Sequence, residues 1–255
     1  MRNFKIATVM IMLVMLACSS ATPAPVSTDT PVPPPTTTSI PPTATLVPSP
    51  TLVPSPTLDP LIFHDDFEGS LGEGWEWVRE NKKSWSLTNN AGWLELMARA
   101  GYVGDGTVDN LLLRQSPEMN FELETQIKFR PTGNFQISGL LIYESAANYV
   151  LFGRAFCDAP QCVHDGFYFD QVAGGSFIPD NFATAAPVSN TVYLRLRREG
   201  NAYTAYVSED GNEWRLIGAH TGDMKPLFVG LVAGQAVNSV PQPAQFNYFT
   251  INALP

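Results

Sequence analysis

Of the side chains able to do acid–base, nucleophilic or metal chemistry, this 255-residue chain holds three histidines, three cysteines and two adjacent acid pairs, Asp65-Asp66 and Glu209-Asp210. His64, His164 and His220 stand in no metalloprotease motif and beside no recognisable nucleophile motif. Neighbouring residues on a strand point to opposite faces, so Asp65 and Asp66 are not aimed at one substrate atom and read as solvated strand-edge acids. Glu209 and Asp210 read as turn acids. A catalytic pair assembled from distant strands is not visible in one sequence. Cys157 and Cys162, in the run CDAPQC, are predicted to close a loop between neighbouring strands as a disulfide. A zinc site using His164 would lack an evident fourth ligand. If the first and last strands pair, Asp65, Asp66 and Asn247 would meet and make a structural calcium site, the one cofactor these residues point to.

Sugar recognition asks for flat rings against C–H faces and for planar polar groups against hydroxyls. The residues that meet this description outside the plain core pattern are Trp77, Trp85, Tyr143, Tyr149, Arg154, Tyr168, Arg195 and Tyr206. In Tyr193-Leu194-Arg195-Leu196-Arg197 the leucines face one way and Tyr193, Arg195 and Arg197 the other, with Arg154 expected to join them across the sheet. The competing reading makes the tryptophans core residues and the arginines cross-strand partners of Glu122 and Glu124.

The elements that must position these groups are strands. Phe135 to Phe156 reads as two strands joined through Ser145–Asn148, and both arms are apolar on both faces, as a strand buried on two sides requires. Phe121 to Arg130 alternates strictly, with Phe121, Leu123, Thr125, Ile127 and Phe129 opposite Glu122, Glu124, Gln126, Lys128 and Arg130, so one face is core and the other wet. Further short alternating runs occur at 62–67, 75–79, 84–87, 93–96, 111–114, 166–172, 191–198, 203–208, 213–217, 228–233 and 245–251, separated by breaks rich in Gly, Asn and Asp. No helical run with capping signals competes, so the fold class is all-β, a two-sheet antiparallel jelly-roll sandwich.

The first 60 residues differ from the rest. Residues 1–17 carry Arg2 and Lys5 before an apolar run and read as an export signal, too short for a stable membrane span. The ending Met15-Leu16-Ala17-Cys18 resembles a bacterial lipobox, which would leave Cys18 lipidated; Met15 and Leu16 depart from its commonest form. Residues 18–60 form a Pro/Thr-rich segment with the near-repeat LVPSPT, expected to be a disordered stalk. Lys plus Arg number 15 against 24 Asp plus Glu, and residues 1–60 hold two of each, so the acidic excess lies in residues 61–255. That balance disfavours duplex nucleic acid and anionic head groups as direct partners.

Several runs taken together resemble one family: HDDFEG, WEWVRENKKSWSL, NLLLRQSP, FELETQIKFRPTGNFQISGLLIYESAANYVLFGR, YLRLRREGNAYTAYVSEDGNEWRLIG, VGLVAG and AQFNYFTI. Residues 61–255 are similar to the concanavalin A-like, laminin G-like sandwich, and most of all to the C-terminal domain of family 43 β-xylosidases and arabinofuranosidases. The resemblance implies a curved sandwich associated with polysaccharide degradation and sometimes binding carbohydrate. The catalytic propeller of those enzymes has no counterpart in these runs, so glycosidase activity is not inherited with the fold. The expectation is an exported lipoprotein, held at the cell surface through its lipid anchor, whose sandwich binds a polysaccharide or glycan without catalysis. The alternatives are an interaction or structural module of the cell envelope and, last, a glycan-cleaving enzyme.

Overall fold

A computed structural model describes residues 60–179, 181–235, 237 and 240–255. The export signal, Cys18 and the stalk through residue 59 lie outside the described residues.

Among the described residues, seventeen strands form two stacked layers, and every pairing but one is antiparallel. The first layer runs β1 (Leu61–Asp65), β17 (Phe249–Ala253), β6 (Phe121–Lys128), β12 (Thr191–Glu199), β13 (Ala202–Ser208), β14 (Arg215–Thr221). Beyond the far end of β6, β16 (Gln242–Phe246) takes the place of β17 and continues into β4 (Leu94–Ala100) and β3 (Trp85–Ser86). The second layer runs β2 (Glu76–Val78), β5 (Leu111–Gln115), β15 (Phe228–Gln235), β7 (Ile137–Ser145), β8 (Asn148–Cys157), β9 (His164–Ala173), and β9 carries β10 (Ser176–Phe177) and β11 (Phe182–Ala185) on its outer edge. The exception is a parallel contact of β15 with the end of β4, which joins the layers at one margin.

Strand periodicity accounts for the layering. Phe121, Leu123 and Ile127 of β6 and Leu194 and Leu196 of β12 point inward, against Leu140 and Ile142 of β7, Val150 and Phe152 of β8 and Val229 and Leu231 of β15. The hairpin centred on β7 and β8 is apolar on its other side as well. There Leu141, Tyr149, Leu151, Leu111, Leu113 and Val232 form a second cluster, closed by Val103 and Val108 from the segment that crosses the face through the 3-10 turn Val103–Asp105. The hairpin turn is tighter than the four-residue connection expected from sequence, because Ser145 pairs with Asn148 and leaves Ala146 and Ala147 as the loop.

The two short strands β10 and β11 have no counterpart in the sequence reading. Their two and four residues are too few to show an alternation, although Gly174 and Gly175, both at positive φ, are a hairpin signal between β9 and β10.

Candidate ligand groove on the outer face of the second layer

The structure separates the eight aromatic and arginine candidates. Tyr193, Arg195, Arg197 and Tyr206 do share the outer face of the first layer, with Arg195 opposite Glu124 and Arg197 opposite Glu122. Arg195 reaches Glu122 at 3.1 Å and Glu124 at 2.7 Å, Arg197 pairs with Glu122, and the Arg195 guanidinium lies 3.7 Å over the Trp214 ring. The cross-strand reading of these arginines therefore holds. Tyr248 donates to the other Glu124 oxygen at 2.6 Å, and burial together with that bond raises its phenol above the ordinary range.

Arg154 does not join that face, because β8 belongs to the other layer. Its side chain is 1% exposed, forks onto Asp165 at 2.8 and 2.7 Å, and donates to the carbonyls of Ser189 and Pro187 at 2.7 and 3.4 Å. Tyr149 is fully buried and donates to the Tyr102 hydroxyl at 2.9 Å. Tyr143 is half-buried against the same outer cluster. Trp77 and Trp85 stack at 4.8 Å and pack against the margin of the central core. Arg154 and Tyr149 therefore offer no free recognition surface, while Tyr143, Trp77 and Trp85 are part-exposed and packed along one side against the two clusters.

Asp65, Asp66 and Asn247 do not form a shared cation site. β1 and β17 do pair, but Asp65 accepts the amides of Phe67 and Gly72 and the Trp75 indole at 2.9, 2.7 and 2.8 Å, so both its oxygens hold the turn after β1. Asp66 accepts from the Glu68 amide, while Asn247 donates to the Gly92 carbonyl. Three different local partners replace the common ion. The histidines are dispersed: His64 bonds Thr250, His220 is buried beside Phe169, and His164 is exposed at φ 59°. Asp210 is a turn acid as read, accepting the amides of Asn212 and Glu213, which hold its carboxyl below the ordinary range. It lines a shallow depression of about 390 Å³ beside Trp214. Cys157 and Cys162 form the predicted disulfide.

Of the eight candidates, Tyr168 borders a real groove. About 530 Å³ in volume, it lies along the outer face of β8 and β9, within the size range of small-molecule sites, which runs ~300–1,000 Å³. Leu151 and Ala155 of β8 and Tyr168 and Asp170 of β9 face it, Phe177 of β10 and the segment 181–183 close one side, with the Phe182 ring turned inward onto Phe169 and His220, and Tyr102 and Phe135 border it from loops. The disulfide lies on its rim. The rings of Tyr102 and Phe177 stand 6.1 Å apart at 35°. Tyr168 donates its hydroxyl proton to the His164 carbonyl and accepts the Val163 amide, which holds its ring at the wall.

The rim residue Phe135 sits at φ 67°. A bulky aromatic residue rarely adopts that region, and such conformations persist where surrounding structure enforces them. The Phe135 amide donates to the Phe156 carbonyl at 2.7 Å, which holds an apolar ring 41% exposed at the mouth of the groove.

Asp170 faces the groove directly opposite Leu151 in the β8–β9 register. Among the described residues no hydrogen bond or ion pair reaches its carboxylate, and desolvation pushes its pKa up from 3.8 to about 7. It is the one acid among the described residues lining the groove, which includes no Lys or Arg. Asp170, Tyr102, Phe177 and Phe182 were absent from the sequence candidates. The signal for Asp170 lay in GFYFDQV, where an acid shares the outward parity of Tyr168 and interrupts a strand apolar on both faces.

The two-layer antiparallel sandwich is that of a concanavalin A-like domain. Residues 64–252 match the family described as the beta xylosidase C-terminal concanavalin A-like domain, and the chain belongs to that family. Its fold is similar to that of the GH43 protein BlXynB from Bacillus licheniformis, with a TM-score of 0.67 and 20% identity over 75% of this chain and 39% of that one. The xylan beta-1,4-xylosidase from Bacillus halodurans C-125 aligns with a TM-score of 0.63 and 22% identity over 74% of this chain and 38% of its own. A functionally unknown protein from Saccharomyces cerevisiae aligns over 71% of this chain and 97% of its own length, at a TM-score of 0.56 and 13% identity. The chain thus spans about two-fifths of the two bacterial proteins, and the family it matches is their C-terminal domain. No curated protein matches.

Proposed function

We propose that this protein is a lipid-anchored, cell-surface carbohydrate-binding protein whose sandwich holds a polysaccharide or glycan in the β8–β9 groove without cleaving it. The observation that carries this reading is the groove itself: aromatic rings of Tyr102, Tyr168 and Phe177 around a single carboxylate, on a domain whose family is named from xylosidases. Ring faces take the C–H face of a sugar and the carboxylate takes its polar hydrogens. Glycoside hydrolysis by the common routes needs two carboxyl groups flanking the bond, and Asp170 is alone among the described lining residues. This is what supports a binding role over a hydrolytic one.

The test is to pass the full-length protein over a panel of insoluble plant polysaccharides and a glycan array. Retention without release of soluble sugar is expected. Phe177→Ala removes a half-exposed ring from the groove wall and should cut retention several-fold while leaving the circular dichroism spectrum unchanged, whereas Trp77→Ala should not. Released sugar would indicate an enzyme. Neither retention nor release would leave the envelope-interaction reading in its place.

A further inference from the structure

We propose that the groove selects a ligand carrying a protonated amine beside a ring face, which for an oligosaccharide means a sugar with a free amino group. The proposal rests on the carbohydrate reading only for the identity of the ring.

The argument begins from the Asp170 carboxylate, which faces the groove with no described donor to satisfy it. The titratable groups around it are phenols. Tyr149 spends its proton on the Tyr102 hydroxyl, and Tyr168 spends its own on the His164 carbonyl. Tyr102 and Tyr168 are both raised, first of all by desolvation, and Asp170 raises them further, so the phenols stay neutral and supply no countercharge. Asp105, the acid nearest on the crossing segment, turns its carboxylate to Thr107 instead.

A carboxylate so placed leaves a specific gap. A neutral hydroxyl can donate one hydrogen bond to the ionised carboxyl but leaves its charge uncompensated in a part-buried site. An ammonium group supplies both the hydrogen bond and the charge, and a charge-assisted bond of this kind is about twice as strong as a neutral one. The walls suit the same ligand, because ring faces such as those of Tyr102 and Phe177 attract a cation while packing against apolar atoms. The acidic balance of the whole chain, a formal net charge of −9, works in the same direction and against anionic sugars.

The experiment is calorimetric titration of the full-length protein near neutral pH with four probes: oligomers of glucosamine, oligomers of N-acetylglucosamine, xylo-oligosaccharides and ethanolamine. The glucosamine oligomers should bind roughly tenfold more tightly than the acetylated ones, the order expected for one charge-assisted contact. Asp170→Asn should erase that preference and Asp170→Glu should keep part of it, with unchanged near-ultraviolet circular dichroism as the check on folding. Equal binding of acetylated, free and xylose oligomers would overturn the amine preference and leave the carbohydrate reading standing. Binding of ethanolamine alone, lost in Asp170→Asn, would keep the amine preference and remove the carbohydrate. A preference that survives Asp170→Asn, or no binding of any probe, would sink the proposal.

Discussion

At Asp170 and Arg154 two charged side chains near the same hairpin have opposite fates. Arg154 enters the protein with its charge matched by Asp165 and its remaining donors taken by two carbonyls. Such a pair is costly to break from one side, because the partners are left without donors. Arg154→Met should destabilise the protein by about 3 kcal/mol in a urea titration, the low end of the range for buried pairs because Asp165 retains access to water. Asp170 has no such match, and its behaviour with pH follows. A carboxyl at about 7 in the folded protein against 3.8 when unfolded binds its proton more tightly in the fold. Stability from this group is therefore full at acid pH and declines as pH rises through the interval up to about 7. Thermal melts across that interval should show a falling midpoint in the wild type, and Asp170→Asn should flatten that component. The same dependence of the midpoint on pH in both proteins would contradict the assignment.

The β7–β8 hairpin was legible as an element because both of its faces are apolar, and the second cluster on its outer side is the consequence. What the pattern did not show is how closely these strands approach. Gly139 and Gly153 face each other in register, and a Cβ on Gly139 would collide with the Phe152 carbonyl while one on Gly153 would collide with that of Ser138. Backbone atoms cannot move aside as a side-chain tip can. Gly139→Ala should therefore cost about 3 kcal/mol, at the upper end of the overpacking range, and shift the denaturant midpoint accordingly. The neighbouring β10 and β11 were not legible, being too short to carry a period, and with them went Phe177 and Phe182. Tyr149 and Tyr168 show the same limit from the other side. Both point outward on adjacent strands, yet Tyr149 is sealed under the crossing segment by Tyr102, 47 residues away, while Tyr168 is left at the groove.

For the molecule as a whole, the two outer faces divide the labour. That of the first layer is a closed net of Glu122, Glu124, Arg195 and Arg197, and that of the second is covered at one end and open at the other. The proposed surface role adds a requirement that the sandwich alone does not test. If Cys18 is acylated, Cys18→Ala should move the protein from the membrane fraction to the soluble one, and the mature wild type should carry the mass of its acyl chains; a wild-type protein recovered soluble and unmodified would end that reading. The sequence by itself determined the all-β class, the inward and outward sets of β6 and β12, and the disulfide, and offered the Glu–Arg pairing between β6 and β12 as one of two readings, because each is set by local alternation, by neighbouring strands or by five residues of separation. Only the tertiary structure decided where an aromatic ring stays uncovered and which acid lacks a partner. Burial depends on what crosses a face, and the segment that covers Tyr149 and the short strands that wall Asp170 arrive from parts of the chain whose placement no period encodes.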